Sequence, residues 1–294
     1  MEELEKCEIC PHRCKINRNE GKIGVCGAGK NIKISITKLH YDEEPCISGK
    51  NGSGTVFFSS CNLKCVFCQN YKISQEKMGH EITIEELAEE FLKLQNQGAN
   101  NINLVTGTIY VPQIIETLKI AKKKGLTIPV AYNTSGYENI ETLKKLDGYI
   151  DIYMPDFKYF YSNLGEKLSG IKNYANIAKD AIIEMQRQIT KNEFDENGLM
   201  KKGIIIRHLV LPNHIQNSIR VLEWLKENIR EDVFVSLMAQ YFPTHKASEY
   251  NDINRKLTKK EYNEIKEYFY ELDFKNGFIQ DLEDEEEKYV PEFK

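Results

Sequence analysis

The chain of 294 residues is 41% hydrophobic and 29% charged, enough to bury the core of one large α/β domain with a small appendage. A formal net charge of -4 argues against a nucleic-acid partner, and the lack of any 18-residue apolar run argues against a helical membrane span. The N-terminus is charged from Glu2 onward and has no apolar h-region, so cytoplasm is the expected compartment.

All eight cysteines fall at or before Cys68. In a reducing compartment such clustering reads as metal or redox sites rather than as a disulfide scaffold. The first group, Cys7, Cys10, Cys14 and Cys26, is spaced C-x2-C-x3-C-x11-C in a loop-like stretch rich in glycine. Four thiols close a site, so this one reads either as structural zinc or as an auxiliary iron–sulfur cluster. The segment is too short and polar to fold without metal. His12 reads as a solvated bystander, and Cys46 as a small buried or free thiol.

From residue 55 the chain alternates strand-length apolar runs with amphipathic helical stretches. Strands are expected at 55–59, 101–105, 128–132, 149–154, 203–209 and 233–237. Helices are expected at 83–97, with Thr83 and Glu86 as a capping box, and at 112–123, with Pro112 at its start. Further helices are expected at 138–146, 174–189, 215–228 and 258–272. Six such units predict an α/β fold, a partial (β/α)6 barrel of parallel strands carrying a small cysteine-rich metal-binding segment at its N-terminus. The expected division is a cysteine-rich segment at 1–50, the barrel at 51–280 and an acidic tail at 281–294. Its run DLEDEEE reads as solvated. Residues 192–202 read as a polar hairpin before the fifth strand, placed to serve as a lid.

The first of these strands leads into FFSSCNLKCVFCQN, where Cys61, Cys65 and Cys68 are spaced C-x3-C-x2-C. Three thiolates on a cubane [4Fe-4S] cluster leave its fourth iron without a protein ligand; structural zinc with a distant fourth ligand is the other reading of three clustered thiols. The spacing and Phe67 before the last cysteine resemble the signature of the radical S-adenosylmethionine (SAM) superfamily. That resemblance implies a site-differentiated cluster whose open iron is chelated by the amino and carboxylate groups of SAM. It also implies Phe67 near the adenine and the same partial barrel. Over most of its length, from CEICPHRCKINR through IIIRHLVLP and VSLMAQYFP to YVPEF, the chain is similar to an uncharacterised radical SAM family related to pyruvate formate-lyase activating enzyme.

In such barrels chemistry collects at the C-terminal ends of the strands. After the second strand come Thr106, Gly107 and Thr108, where the family commonly carries a Gly-Gly-Glu-like segment; their carbonyls and hydroxyls suit an ammonium group. After the third come Asn133, Thr134 and Ser135, read as SAM contacts or, with Ser135 as the cap, as the start of the next helix. Asp156 and Lys158 resemble the Asp-Leu-Lys segment of glycyl-radical activating enzymes, which implies that both face the SAM pocket. Arg207 resembles the arginine of those activases and suits a bidentate clamp on a carboxylate. His208 reads as a satisfied barrel residue, and Gln240, Tyr241 and His245 as candidates for the mouth.

The activity implied is reductive cleavage of SAM to a 5'-deoxyadenosyl radical that abstracts hydrogen, with flavodoxin or ferredoxin as electron donor. Activation of a glycyl-radical enzyme, radical modification of a peptide or small molecule, and a non-catalytic iron–sulfur electron carrier are the three readings this leaves open.

Overall fold

The computed structural model describes residues 1–282 and residue 293. The last described stretch thus takes in Asp281 and Leu282, and the rest of the expected acidic run lies outside it. Ten strands join in one sheet: β1 (Ile32–His40), β2 (Ser53–Phe58), β3 (His80–Ile82), β4 (Ile102–Val105), β5 (Val130–Thr134), β6 (Ile152–Pro155), β7 (Glu193–Phe194), β8 (Met200–Leu209), β9 (Phe234–Met238) and β10 (Gly277–Ile279). Their order is β10-β9-β8-β6-β5-β4-β2-β1-β3, with β7 paired to β8. From β2 to β10 the strands along this path run parallel; β1 and β3 are antiparallel additions on the β2 side. Among the described residues the sheet does not close, so the architecture is a partial barrel.

The helices are α1 (Pro45–Ser48), α2 (Tyr71–Ser74), α3 (Ile84–Asn96), α4 (Val111–Lys123), α5 (Ile140–Lys144), α6 (Ser162–Ser169), α7 (Tyr174–Gln188), α8 (Ile215–Asn228) and α9 (Lys259–Glu271). Thr83 and Thr258 start α3 and α9 through capping boxes with Glu86 and Glu261. In α3 the buried Leu87, Ala88, Phe91 and Leu94 recur at helical spacing and pack with Val56, Phe58, Ile102 and Leu104 of the sheet. Burying a side chain such as Phe91 contributes about 1.5–3 kcal/mol.

The alternate residues of the strands face the other way, into the barrel. There Ala131, Ile152, Met154 and Ile205 enclose Cys46 and Ile47 of α1, with Met200 beside them. The turn holding α1 therefore plugs the N-terminal end of the barrel. Amides of the strand β4 region hold it: Asn100 and Asn101 donate to the carbonyls of Ser48 (2.6 Å) and Ile47 (2.8 Å), and Asn103 donates to Glu43 (2.8 Å). Cys46 is a buried thiol, and burial pushes its pKa up to about 12.

Three expectations change. The antiparallel β1 and the short β3 and β10 are additions to the six strands read from sequence. Helix α5 begins after Asn139, whose side chain accepts from the Glu141 N–H, so Ser135 is not its cap. The hairpin at 192–202 does form, with Asp195 accepting from the N–H groups of Asn197 and Leu199. It leads into the start of β8, at the end of the barrel opposite the strand exits, and so does not cover them.

At the exits of β5 and β6 the backbone is tightly gathered. The hydroxyl of Tyr174 lies 2.8 Å from the Ser135 carbonyl and 2.9 Å from that of Asp156, and accepts from the Lys158 N–H. Gly136 sits beneath it at φ 75°, where a Cβ would collide with the Asp156 carbonyl oxygen. Gly125 also has positive φ (107°) but open space around it. Gly125→Ala is expected to cost about 1–2 kcal/mol from backbone conformation alone. Gly136→Ala should cost a further ~1–3 kcal/mol from crowding. Equal losses in urea denaturation would show that the crowding at Gly136 is absent.

Candidate functional site

The loop that follows β2 turns sharply at Ser60, which has φ 75° and donates its N–H to the Ile73 carbonyl. It is then pinned to the end of α6: Lys64 and Val66 donate to the carbonyls of Ser169 and Leu168. These bonds bring Cys61, Cys65 and Cys68 to one wall of a cavity of about 550 Å3 at the strand exits. That size suits a small-molecule site. The Cys65 thiol lies 2.9 Å from the Ser169 hydroxyl, and the Cys68 thiol 3.2 Å from that of Ser74. Burial is the main cause that pushes Cys61 up to about 12 and Cys65 up to about 11, and it raises Cys68 as well. The thiols stay protonated at neutral pH unless a metal displaces their protons.

Of the residues singled out from sequence, Phe67, Thr106, Asn133, Thr134, Ser135, Asp156, Lys158 and Arg207 line this same cavity. Thr106 takes a left-handed conformation, φ 62°, uncommon for a β-branched residue. Gly107 and Thr108 are not in the lining. Gly107 allows Ile114 of α4 to approach, and the Thr108 hydroxyl donates to Glu138 (2.6 Å). The Ser135 hydroxyl is buried and has no hydrogen-bond partner among the described residues. Lys158 and Asp156 are paired at 2.5 Å. Burial works against the Lys158 ammonium, but Asp156 and the nearby Cys65 outweigh it and raise its pKa.

Arg207 does form a bidentate clamp, and the carboxylate it holds belongs to this chain. Its Nε donates to Glu44 at 2.9 Å, while its Nη2 donates to both Glu44 and Glu43. Burial disfavours each charge, but the three charges hold one another: Arg207 is raised well above its usual pKa, and Glu44 is lowered. The expectation of an arginine free to receive a ligand carboxylate gives way to an internal ion pair, because Glu43 and Glu44 rise into the lumen on the plug. No sequence pattern announced that placement.

At the mouth, Gln240 lines the cavity, whereas Tyr241 is buried against Phe67 with ring centroids 5.7 Å apart, and His245 stacks on Tyr71 at 4.7 Å. His208 lies in the barrel wall between the Phe157 carbonyl (2.7 Å) and the Ser218 hydroxyl (2.8 Å), and burial lowers its pKa to about 4. His12 is no bystander: its Nε2 lies 2.7 Å from the Asn62 carbonyl, linking the N-terminal segment to the cysteine loop. Cys7, Cys10, Cys14 and Cys26 line a second, small cavity that shares no lining residue with the first. Among the described residues, no three His, Cys, Asp or Glu side chains come close enough together to ligate one common metal ion.

Sequence reasoning missed Glu138. It is 2% exposed, and its Oε1 accepts from the hydroxyls of Thr108, Tyr132 (3.3 Å) and Thr134, while Oε2 has no partner among the described residues. It thereby ties the exits of β4 and β5 together from behind the cavity. The available signal was a carboxylate set among threonines and tyrosines just past two strand ends.

Residues 55–194 match the family model of the Radical SAM superfamily. Over 266 residues the chain is 35% identical to an uncharacterised protein of Methanocaldococcus jannaschii, an alignment covering 88% of this chain and 72% of that one. It is 25% identical over 199 residues to a pyruvate formate-lyase-activating enzyme of Clostridium pasteurianum, covering 65% of this chain and 76% of that enzyme. Among solved structures, methylornithine synthase shares the fold with a TM-score of 0.51 at 16% identity; the match covers 71% of this chain but only 59% of that one.

Burial raises the pKa of Glu138 from the ordinary 4.5 to about 7. The native state therefore keeps a proton that the unfolded chain has already released, so its stability is full below about pH 4.5 and falls as pH rises through 7. Over that window the loss is on the order of 3 kcal/mol. Glu138→Gln, which keeps an acceptor for Thr108 and Thr134, should flatten the decline between pH 5 and 8 in denaturant titrations. Parallel curves for the two proteins would show that Glu138 does not titrate in this window.

Proposed function

This chain belongs to the radical SAM superfamily, and on that premise we propose that Cys61, Cys65 and Cys68 hold a site-differentiated [4Fe-4S] cluster whose open iron binds SAM. Enzymes of the superfamily use that cluster and SAM. The observation that carries the assignment to these residues is the meeting of three thiols, one buried and two half-buried, with Thr106, Asn133, Thr134, Ser135, Asp156 and Lys158 on one cavity at the strand exits.

Bound together, cluster and SAM would supply a 5'-deoxyadenosyl radical for removing hydrogen from a substrate C–H bond. The chain's own task is to bind, orient and shield. The unpartnered Ser135 hydroxyl and its neighbours Asn133 and Thr134 offer hydrogen bonds to ribose hydroxyls or to the methionyl carboxylate. Thr106 offers its carbonyl and hydroxyl to the methionyl ammonium. Phe67, held by Tyr241, provides an apolar surface for adenine. The Lys158 ammonium, close enough to Cys65 to favour its thiolate, offsets negative charge gathered at the cluster. Flavodoxin or ferredoxin would deliver the electron.

For the substrate, activation of a glycyl-radical enzyme is the reading we favour. The similarity to a pyruvate formate-lyase-activating enzyme over 65% of this chain supports it. Radical modification of another peptide or small molecule and simple electron carriage are alternative outcomes of the test. Protein reconstituted anaerobically with iron and sulfide, then given dithionite and SAM, should form 5'-deoxyadenosine, and Cys65→Ala should abolish it. A peptide deuterated at glycine Cα should pass deuterium into that product if a glycyl C–H is the target. An intact cluster that leaves SAM uncleaved would overturn the enzymatic reading in favour of electron carriage.

A further inference from the structure

The N-terminal segment has almost no regular structure of its own, only 3-10 turns at Glu2–Leu4 and Arg18–Glu20 before β1. Its backbone is bent around its cysteines. Cys7 exchanges hydrogen bonds with Ile16 and Lys15, Arg13 donates to the Cys10 carbonyl, and both Arg13 and Lys15 have positive φ. Gly24 lies so near Cys14 that a Cβ there would stand 2.9 Å from its sulfur. Cys7, Cys10, Cys14 and Cys26 thus surround one cavity, which Arg18 and Ile109 also line.

Arg18 is the unexpected member. It is fully buried, with Nε donating to the Gly29 carbonyl (2.8 Å) and Nη1 to the Ile109 carbonyl (2.7 Å), beside the ring of Tyr110. Its Nη2 has no hydrogen-bond partner, and no carboxylate pairs with it among the described residues. A buried guanidinium without an anion is strongly disfavoured. The residues that line the cavity with it include four cysteines and no carboxylate. Four thiolates on a metal centre would supply the missing negative charge, and sulfur acceptors for the idle Nη2 donor.

We propose that Cys7, Cys10, Cys14 and Cys26 hold an auxiliary iron–sulfur cluster and that Arg18 is its buried counter-charge and hydrogen-bond donor. A polynuclear centre adds inorganic sulfides to the four thiolates as acceptors for Nη2, which a zinc ion does not. Hydrogen bonds and nearby charge set the reduction potential of such clusters, so Arg18 acts on this centre without being a ligand. The inference does not depend on SAM cleavage at the strand exits.

The test uses the full chain carrying Cys61→Ala, Cys65→Ala and Cys68→Ala, reconstituted anaerobically so that only the N-terminal site remains. About four irons and four sulfides per chain are expected, with an electron paramagnetic resonance signal on reduction. One zinc and no iron would overturn the cluster. In that background Arg18→Met should move the midpoint potential negative, and Arg18→Lys, which restores the charge, should bring it back; an unmoved midpoint would overturn the role of Arg18. In a chain labelled with 15N-arginine and keeping Arg18, pulsed spectroscopy should detect a nitrogen coupling to the reduced cluster that is lost in Arg18→Lys. Its absence would overturn the donor assignment even if Arg18→Met fails to fold.

Discussion

The buried pairing of Arg207 with Glu43 and Glu44 joins the barrel wall to the plug that seals its lower end. Arg207 comes from β8, the carboxylates from the turn before α1, and the three meet in the barrel lumen with each side chain no more than 10% exposed. Removing one side of such a pair costs about 3–5 kcal/mol, since the charge left behind is still buried. With that end closed, the open space gathers at the opposite rim, where the parallel strands deliver their loops. The cysteine loop, the Thr134–Ser135 turn and the Asp156–Lys158 pair share one cavity because the strands before them share a direction.

Two supports set the rim more finely. Glu138 joins the exits of β4 and β5 from behind through the hydroxyls of Thr108 and Thr134, and Tyr174 joins those of β5 and β6 through one phenol. Neither group lines the cavity. Both hold residues that do, so the polar groups facing the cavity are positioned before any ligand arrives, which lowers the ordering cost of binding.

Much of this was legible in the chain. The six strands expected and the helices between them follow from apolar periodicity and from caps such as Thr83 and Thr258, and the C-x3-C-x2-C loop marks the rim. Strand β1 also had a signal: Ile32, Ile34 and Ile36 alternate with Lys33 and Ser35, a period of two that the cysteines on either side obscured. What could not be read were contacts made across long stretches of chain. The partners of Arg207 lie more than 160 positions away. His12 meets the Asn62 carbonyl, and Arg18 meets that of Ile109, only after the N-terminal segment folds back on the barrel. Local pattern carries no record of such returns, so polar residues in a glycine-rich loop look solvated when they are not.

The central claim is that SAM binds the open iron of a cluster held by Cys61, Cys65 and Cys68. Electron–nuclear double resonance on the reduced, reconstituted protein, with SAM labelled by 15N at its amino group and 17O at its carboxylate, tests it most directly. The account predicts strong couplings to both labels, as expected for a group chelated to iron, and their loss in Cys65→Ala. A well-formed cluster showing neither coupling in the presence of saturating SAM would contradict it.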